Sequence, residues 1–327
     1  MDTIAPNITS GRSKPSLGEY NLYGSTGIIG KTATADYSGD MLLVARVGAN
    51  AGSLQLVNDS CGITDNTLII KPCKLSSHYL YFYLQHYNLN RLVFGSGQPL
   101  ITAGMLKKVR IPFGNQLEQK KIENFLCCID ERITTQNKII EKLETLIKGI
   151  RNNIISKIKG DCITLQDIAD IYQPQTIAST DLTEDGYLVY GANGIIGKYR
   201  SFNHEKEQIC ITCRGNTCGT VNFTEPKSWI TGNAMVINTD NYAKNVNKRY
   251  LFHYLSSINF NSIISGSGQP QIVRQPLAKL KLILPVLIIQ NRIAECLDAM
   301  FAKMKNEQSF LQILQIQKSC LLSQMFI

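Results

Sequence analysis

The sequence has few of the residues on which catalysis usually depends. It holds four histidines and one tryptophan among 327 residues. No Pro-Pro pair occurs, so the Asp/Asn-Pro-Pro-aromatic loop of adenine and cytosine methyltransferases is missing, and no Pro-Asp is followed by the Glu-x-Lys of a nuclease. General acid-base chemistry by histidine and cleavage by clustered carboxylates therefore have no support. We expect a binding protein rather than an enzyme, with no cofactor and no metal.

Long apolar runs are also missing. The longest candidate, ILPVLII at residues 283–289, is short and contains Pro285, whereas a membrane span needs about 18 apolar residues. The N-terminus has no signal-peptide pattern. The ten cysteines have no framework spacing, which is typical of free thiols in a reducing compartment. We expect a cytoplasmic protein without a membrane partner.

Acidic residues are fewer than basic ones. The chain has 34 Lys and Arg against 25 Asp and Glu, a net charge of +9. A basic protein favours an acidic partner, of which nucleic acid is the commonest and an anionic membrane surface the next. Charge alone leaves open whether either is bound.

The segment YGSTGIIGKT at residues 23–32 is similar to a phosphate-binding loop. A P-loop needs four residues between its first glycine and the Gly-Lys-Ser/Thr, but Gly24 and Gly30 enclose five. The segment recurs as YGANGIIGKY at residues 190–199, where Tyr199 replaces the magnesium-binding hydroxyl. The loop is repeated without the features of nucleotide chemistry.

The repeat extends through the whole chain. TDNTLII and TGNAMVI lie the same distance apart as the two GIIGK segments, and YLYFYL, YLFHYL and two copies of GSGQP follow in the same order. One unit was therefore duplicated in tandem, with two copies rather than the three or more of a solenoid. The first copy begins at MDTIAPNI, which corresponds to QDIADIYQ in the second, so it has little or no lead-in strand.

The duplication also serves as a control for chance clusters. Cys210, Cys213 and Cys218 have the spacing of a zinc-site fragment, but the corresponding residues of the first copy are leucine, arginine and alanine. We expect these cysteines to be strand side chains.

Each copy ends in a long helical pattern. Apolar residues step by four and three over roughly 40 residues, which predicts two coiled-coil helices. We expect them to pair antiparallel and, at about 60 Å each, to hold two domains at opposite ends. The alternative is two packed surface helices. The predicted seam and subunit-contact residues are Ile133, Ile140, Leu143, Ile147, Ile150, Leu297, Met304, Leu311 and Leu314. Polar Gln136, Glu307 and Lys318 on the seam either fix its register or mark an attachment point for another subunit.

The predicted fold is α+β. Runs of β-branched residues punctuated by glycine predict a strand-rich domain in each copy, followed by its helix. The predicted boundaries are 1–116 and 161–287 for the two domains, and 117–160 and 288–327 for the two helices.

Polar residues recur in the loops of both copies. Arg46 and Arg214 lie beside paired glycines, with Asn50 and Asn216 nearby. A rigidly held arginine can donate two hydrogen bonds to guanine, and asparagine or glutamine can recognise adenine. Alternatively, the glycines only close hairpins and the arginines pair with carboxylates.

Further candidates surround these loops. Lys31 and Lys198 are expected to contact phosphate, because lysine acts as a point charge. Gln98 and Gln269 in GSGQP are either base contacts or parts of a turn. Other candidate DNA-binding residues lie in or beside segments that differ between the copies: Ser25, Thr26, Asn193 and Arg274.

The order of these features resembles that of the specificity subunit of type I restriction-modification systems. The resemblance rests on YGSTGIIGK, RVGANAG, GSGQP and the LEQKKIENFL helix start, and covers essentially the whole chain in both copies. It implies a non-catalytic subunit with two target recognition domains, each of which reads one half of a split site in double-stranded DNA. It further implies that the helices bind methyltransferase subunits, two in number, and that a restriction subunit joins through the complex.

Two alternatives remain open. One is an enzyme, a nucleotide-hydrolysing or nuclease component with a degenerate loop. The other is an orphan subunit that binds methyltransferase subunits without directing them. Because the loops of the two copies differ, the specificity-subunit interpretation predicts an asymmetric site.

Overall fold

The computed structural model describes residues 1–95, 97–192, 194–266 and 268–326. The chain forms two compact units. Unit 1 contains Met1–Lys138 and Ser309–Ile327, and unit 2 contains Ile139–Gln308. Within the described residues, none of the helices is long and apolar enough to cross a membrane.

Unit 1 is built on two small sheets and a short helix. Its strands are β1 (Thr9–Ser10), β2 (Tyr20–Gly24), β3 (Gly27–Thr32), β4 (Asp40–Ala45), β5 (Leu54–Asn58), β6 (Gly62–Ile63) and β7 (Thr67–Ile70), and its short helices are α1 (Ser77–Tyr87) and α2 (Ala103–Lys107). A four-stranded sheet has the order β1-β7-β4-β5, and a three-stranded sheet has the order β3-β2-β6. The central strands therefore belong to one sheet, and the β2–β3 hairpin belongs to the other.

Alternate residues of β4 enter two different cores, as expected for a strand buried on both faces. Leu42 and Val44 belong to the cluster that contains Leu80 and Phe82 of α1. Met41 and Leu43 belong to a second cluster with Ile63 of β6. The four-stranded sheet is therefore covered by α1 on one face and by the three-stranded sheet on the other.

Unit 2 repeats this plan. Its strands are β8 (Asp161–Thr164), β9 (Asp170–Tyr172), β10 (Tyr187–Gly191), β11 (Gly194–Tyr199), β12 (Ile209–Thr212), β13 (Val221–Phe223), β14 (Trp229–Ile230), β15 (Ala234–Asn238), β16 (Ile264–Ser265), β17 (Gln271–Ile272) and β18 (Lys281–Leu284), and its short helices are α4 (Lys248–Leu255) and α5 (Arg274–Ala278). The sheets β13-β12-β15-β9 and β11-β10-β14 match the two sheets of unit 1.

The strand registers of the two units are the same. Leu43 of β4 pairs with Ile69 of β7, and the corresponding Cys210 of β12 pairs with Val236 of β15. Four strands of unit 2 have no strand equivalent among the described residues of unit 1: β8 with its partner β18, and β16 with its partner β17.

Two long helices complete the fold, α3 (Gln116–Lys157) and α6 (Leu287–Met325). In unit 1 the early part of α3 meets the late part of α6, where Lys318 Nζ lies 2.6 Å from Asp130 Oδ1. In unit 2 the late part of α3, including Ile155, packs into the same cluster as Ala294 near the start of α6. The helices are therefore antiparallel, as predicted.

The predicted seam is the buried stripe of both helices. Ile140, Ile147, Leu297 and Leu314 are buried, and the remaining seam residues are half-buried. Lys318 is one of the polar seam positions, and its side chain is 15% exposed. Its ammonium also lies 5.9 Å and 5.5 Å from the ring centroids of Tyr81 and Phe82. This lysine therefore joins α3, α6 and α1 within unit 1, which favours the register-fixing role.

The last turn of α6 enters the core of unit 1. The ring of Phe326 makes edge contacts with Tyr79 and Tyr83 of α1, with centroid separations of 5.3 Å and 5.6 Å. The sequence position of Phe326 gives no indication of this contact, because α1 lies in the first third of the chain.

Candidate nucleic-acid interface

Three loops form the candidate site in each unit. The tip loop joins the two strands of the hairpin at residues 24–27 or 191–194, the arginine loop follows the central strand at 46–52 or 213–219, and the GSGQP loop lies at 94–100 or 265–271. These loops contain or adjoin the DNA-binding residues predicted from the sequence. Asn193 of the predicted set lies outside the described residues.

Backbone hydrogen bonds join the arginine loop to the GSGQP loop in the same way in both units. The Gly48 N–H donates to the Pro99 carbonyl at 2.9 Å, and the Gly215 N–H donates to the Pro270 carbonyl at 3.0 Å. These bonds hold two separate segments side by side, so Asn50 and Gln98 belong to one surface, as do Asn216 and Gln269. All four of these side chains are exposed.

The tight turn of the GSGQP loop requires glycine at its start. Gly95 and Gly266 have φ values of +100° and +91°, and an added Cβ would lie 2.7 Å and 2.5 Å from the carbonyl oxygens of Gln98 and Gln269. Any larger residue would therefore open the turn. The turn interpretation is confirmed for this loop, while base contact by the two glutamines stays a prediction.

The tip loop is held by different side chains in the two units. In unit 2 the hydroxyls of Thr212 and Thr217 both donate to the Ala192 carbonyl, at 2.8 Å and 2.6 Å. In unit 1 the Gln55 amide donates to the Gly24 carbonyl at 2.9 Å. Ser25, which is half-buried, and exposed Thr26 form the two-residue turn between β2 and β3.

Arg46 and Arg214 are not equivalent positions. Val47 bridges to Leu100, and Arg214 bridges to Gln271 at the same place in the second unit. The residue that corresponds to Arg46 is buried Cys213, since each donates its backbone N–H to an equivalent asparagine carbonyl. Arg46 is half-buried and Arg214 is exposed. The two arginines therefore occupy loop positions that differ by one residue.

The carboxylate-pairing alternative for these arginines finds no support. Within the described residues, neither guanidinium forms an ion pair with Asp or Glu. Both groups can therefore offer donors to a ligand.

Three other predicted cations have partners in their own unit. Lys31 Nζ donates to the Glu19 carbonyl and to Asn21 Oδ1, both at 3.0 Å. Lys198 Nζ lies 3.8 Å from an exposed carboxylate of Asp185, and Arg274 Nε donates to the Ile171 carbonyl at 2.7 Å. An ammonium has three donors, so Lys31 keeps one for phosphate.

The three loops and the hairpins that carry the tip loops contain no acidic residue in either unit. The hairpin sequences are YNLYGSTGIIGKT and YLVYGANGIIGKY, the arginine loops are RVGANAG and CRGNTCG, and the GSGQP loops are FGSGQPL and SGSGQPQ. These segments thus carry a lysine, an arginine and several amides, while carboxylates from outside them reach the hairpins: Asp59 Oδ2 accepts from Asn21 Nδ2 at 2.9 Å, and Asp185 lies 3.8 Å from Lys198 Nζ. Segments that carry cations and no carboxylate of their own attract a polyanion.

Sequence reasoning missed one group of residues at this site. Ile28, Ile29, Ile195 and Ile196 are 57%, 51%, 55% and 42% exposed. The signal was present in the repeated GIIG, because two successive residues of a regular strand face opposite sides and only one of them can be buried under a single sheet.

Comparison with known proteins identifies the family. The family model of the type I restriction modification DNA specificity domain matches residues 4–145 and 161–315, once in each copy. The specificity subunit of the type I restriction enzyme EcoprrI from Escherichia coli is 28% identical over 169 residues, which are 50% of this chain and 41% of that protein. The matched segment thus spans less than half of that curated relative.

Solved structures have the same fold. The crystal structure of the S subunit of a type I restriction-modification system from M. genitalium has a TM-score of 0.72 at 18% identity and covers 100% of this chain and 94% of that chain. A structure described as showing the complex assembly and conformational transition of a type I R-M system has a TM-score of 0.58 at 15% identity, covering 99% and 95%. With both domain matches in place, the chain belongs to the type I restriction modification DNA specificity domain family.

Proposed function

We propose that this chain is a non-catalytic specificity subunit that binds double-stranded DNA and directs methyltransferase subunits to a bipartite, asymmetric site. Each unit reads one half of the site through its tip, arginine and GSGQP loops. The restriction subunit is reached through the complex. The proposal extends family membership to the activity of this particular chain.

The loop and hairpin segments without acidic residues, present once in each unit, are the observation that carries the proposal. Phosphate contacts supply most of the affinity of a DNA-binding protein, and base-edge contacts supply its specificity. The lysines provide the first kind of contact. The guanidinium groups of Arg46 and Arg214 and the exposed amides of Asn50, Gln98, Asn216 and Gln269 provide donors and acceptors for the second.

The differences between the units support an asymmetric site. Arg214 stands one position beyond the equivalent of Arg46, and the tip loops are held by threonines in one unit and by a glutamine in the other. Two surfaces with displaced guanidinium groups do not present the same donor pattern to DNA. We therefore expect the two half-sites to differ in sequence.

Docking of methyltransferase subunits is proposed for the outer faces of the long helices. On α6, Phe310, Ile313 and Ile316 are 48%, 50% and 68% exposed, and they lie away from the buried seam. Apolar side chains grouped on one exposed helical face are typical of protein contact surfaces.

Sequencing of methylated sites in cells with and without this chain tests the proposal. We expect a split, asymmetric methylated motif that requires the chain, and co-purification of the chain with DNA methylation activity. If the chain co-purifies with methyltransferase subunits but the methylated motif is the same without it, the orphan-subunit alternative is correct.

A further inference from the structure

Two consecutive isoleucines are exposed on the hairpin of each unit. Ile28 and Ile29 follow the tip loop in unit 1, and Ile195 and Ile196 follow it in unit 2, each between 42% and 57% exposed. Single exposed aliphatic residues are common on soluble proteins. The same exposed pair in two units whose tip and arginine loops differ indicates a shared contact.

A β-bulge produces the double exposure. In unit 1, Leu22 pairs with Gly30 and Tyr23 with Ile28, which leaves Ile29 as the extra residue. In unit 2 the register shifts at the same point, and Ile196 is the extra residue. A bulge re-aims a side chain that would otherwise face the opposite side of the sheet. None of the four isoleucines belongs to a core cluster of its unit.

Glycine on the facing strand makes room for the second isoleucine of each pair. A Cβ added to Gly24 would lie 2.9 Å from Cδ1 of Ile29, and a Cβ added to Gly191 would lie 2.9 Å from Cδ1 of Ile196. Each of these isoleucine side chains therefore lies against the glycine of the facing strand, in space that a larger residue would fill.

The surroundings favour DNA as the occupant of this surface. The hairpins carry a lysine and no carboxylate, and the tip loop contacts the arginine loop through Thr217 in unit 2. The major groove admits a two-stranded β-ribbon, and the apolar group exposed there is the C5-methyl of thymine. An isoleucine pair next to phosphate-binding cations matches that combination of charge and methyl group.

We propose, on the basis of the function proposed above, that Ile28–Ile29 and Ile195–Ile196 contact base edges in the major groove and recognise the C5-methyl group of thymine. Because the pair, its bulge and its glycine are identical in the two units, both half-sites contain a thymine at the equivalent position. The remaining bases of the two half-sites differ.

Replacing thymine by uracil tests this proposal, since uracil pairs identically and lacks only the methyl group. The full-length chain is used at low salt to enrich duplexes from a random library, and each thymine of the enriched site is then replaced in turn. We expect one position in each half-site at which uracil weakens binding by about fourfold, as expected for one buried methyl group.

Variants assign the effect to the isoleucines. In a chain with Ile28→Ala and Ile29→Ala, we expect the uracil effect to vanish in one half-site and to persist in the other. Leu17→Ala is the matched control, because Leu17 is a 99% exposed aliphatic residue of unit 1 outside the three loops, and it should leave the effect intact. All these side chains are exposed, so thermal unfolding should be unchanged.

The outcomes separate this inference from the proposed function. If the wild-type chain enriches no sequence, the proposed function fails and the assignment of the isoleucines fails with it. If it enriches a site but uracil substitution has no effect, or has the same effect in the alanine variant, only the isoleucine assignment is overturned. A change in oligomeric state of the variant with unchanged DNA binding identifies the pair as a protein contact instead.

Discussion

The residue that follows the central strand differs between the two units. Arg46 occupies a position that is Cys213 in unit 2, and Arg214 occupies the position of Val47. The backbone geometry is conserved, since the same amide bonds to asparagine and proline carbonyls occur in both units. If these loops contact DNA as proposed, exchange of neighbouring side chains on a fixed loop would change the specificity.

Arg46→Ala and Lys31→Ala are expected to have different effects on DNA binding. If Arg46 donates two hydrogen bonds to guanine, its loss relaxes one base position at a cost of ~1–3 kcal/mol. If Lys31 contacts phosphate as proposed, its loss weakens binding to all sequences alike and reduces the salt slope by about one. Methylome sequencing and binding at several salt concentrations measure both effects. A uniform loss in the arginine variant would make Arg46 a phosphate contact.

A buried histidine makes the stability of unit 2 depend on pH. Burial lowers the pKa of His253, and the hydrogen bond to Asp298 opposes that shift. Burial raises the pKa of Asp298, but hydrogen bonds from Arg249 and His253 outweigh it and lower the pKa. Neutral His253 therefore donates from Nε2 to Asp298 Oδ1 at 2.7 Å. Below about pH 6.5, His253 binds a proton in the unfolded state more readily than in the folded state. The free energy of unfolding therefore decreases as the pH falls.

His253→Phe is expected to reduce the loss of stability at low pH. The corresponding residue of unit 1 is Phe82, which is 1% exposed, so the fold accepts phenylalanine at this position. Denaturant unfolding of both proteins at pH 5 and pH 7 gives the comparison. Part of the pH dependence should remain, because burial also lowers the pKa of His204. An unchanged difference between the two pH values would contradict the role of His253.

At the scale of secondary structure, the long helices were the most predictable elements. The four-three spacing of apolar residues predicted helices over 117–160 and 288–327, and the structure has them at Gln116–Lys157 and Leu287–Met325. The spacing is informative because burial selects one face of a helix throughout its length. The spacing of apolar residues does not show which side chain a polar seam residue contacts. The Asp130–Lys318 pair could therefore not be predicted.

The hairpins were less predictable. Their GIIG sequence has too few residues for a periodicity, and a β-bulge depends on the pairing partner rather than on the strand alone. The one-residue offset between Arg46 and Arg214 was already predicted by the repeat spacing, which aligns Arg46 with Cys213. The loop hydrogen bonds confirm it, since the backbone N–H groups of Arg46 and Cys213 donate to the equivalent carbonyls of Asn66 and Asn233.

Ile140→Asp and Ile139→Asp provide a matched test of the seam. Ile140 is 8% exposed and Ile139 is 39% exposed, yet both substitutions change helix propensity equally. A carboxylate at residue 140 should cost about 3 kcal/mol or more of unfolding free energy, because it is placed among apolar side chains. The cost at residue 139 should stay within about 1 kcal/mol.

Denaturant unfolding and co-purification with methyltransferase subunits measure the two variants. We expect Ile140→Asp, and likewise Leu143→Asp, to lose the complex through loss of the helix pair. Equal stability of the residue 139 and residue 140 variants would show that Ile140 does not support the fold. Loss of the complex by Ile139→Asp alone would assign the exposed face to subunit binding.

At the scale of the whole molecule, the duplication predicts that the two reading surfaces act independently. Exchange of residues 1–110 for another recognition domain should change one half of the methylated sequence and leave the other half intact. The incoming segment must keep aromatic residues at Tyr79 and Tyr83, since Phe326 packs against both. Methylome sequencing decides the result. A change in both half-sites would mean that the two units form one composite reader.

The contact of Phe326 with α1 predicts an order of folding during translation. Residues 1–138 are synthesised before unit 2, whereas Ser309–Ile327, which completes their core, is synthesised after it. Unit 2 is one continuous segment and has no such delay. We expect a chain truncated after Gln308 to yield a protease-resistant fragment of unit 2, with residues 1–138 degraded; resistance of both would contradict this order. Unit 1, whose first residues leave the ribosome before those of unit 2, is then expected to finish folding after unit 2.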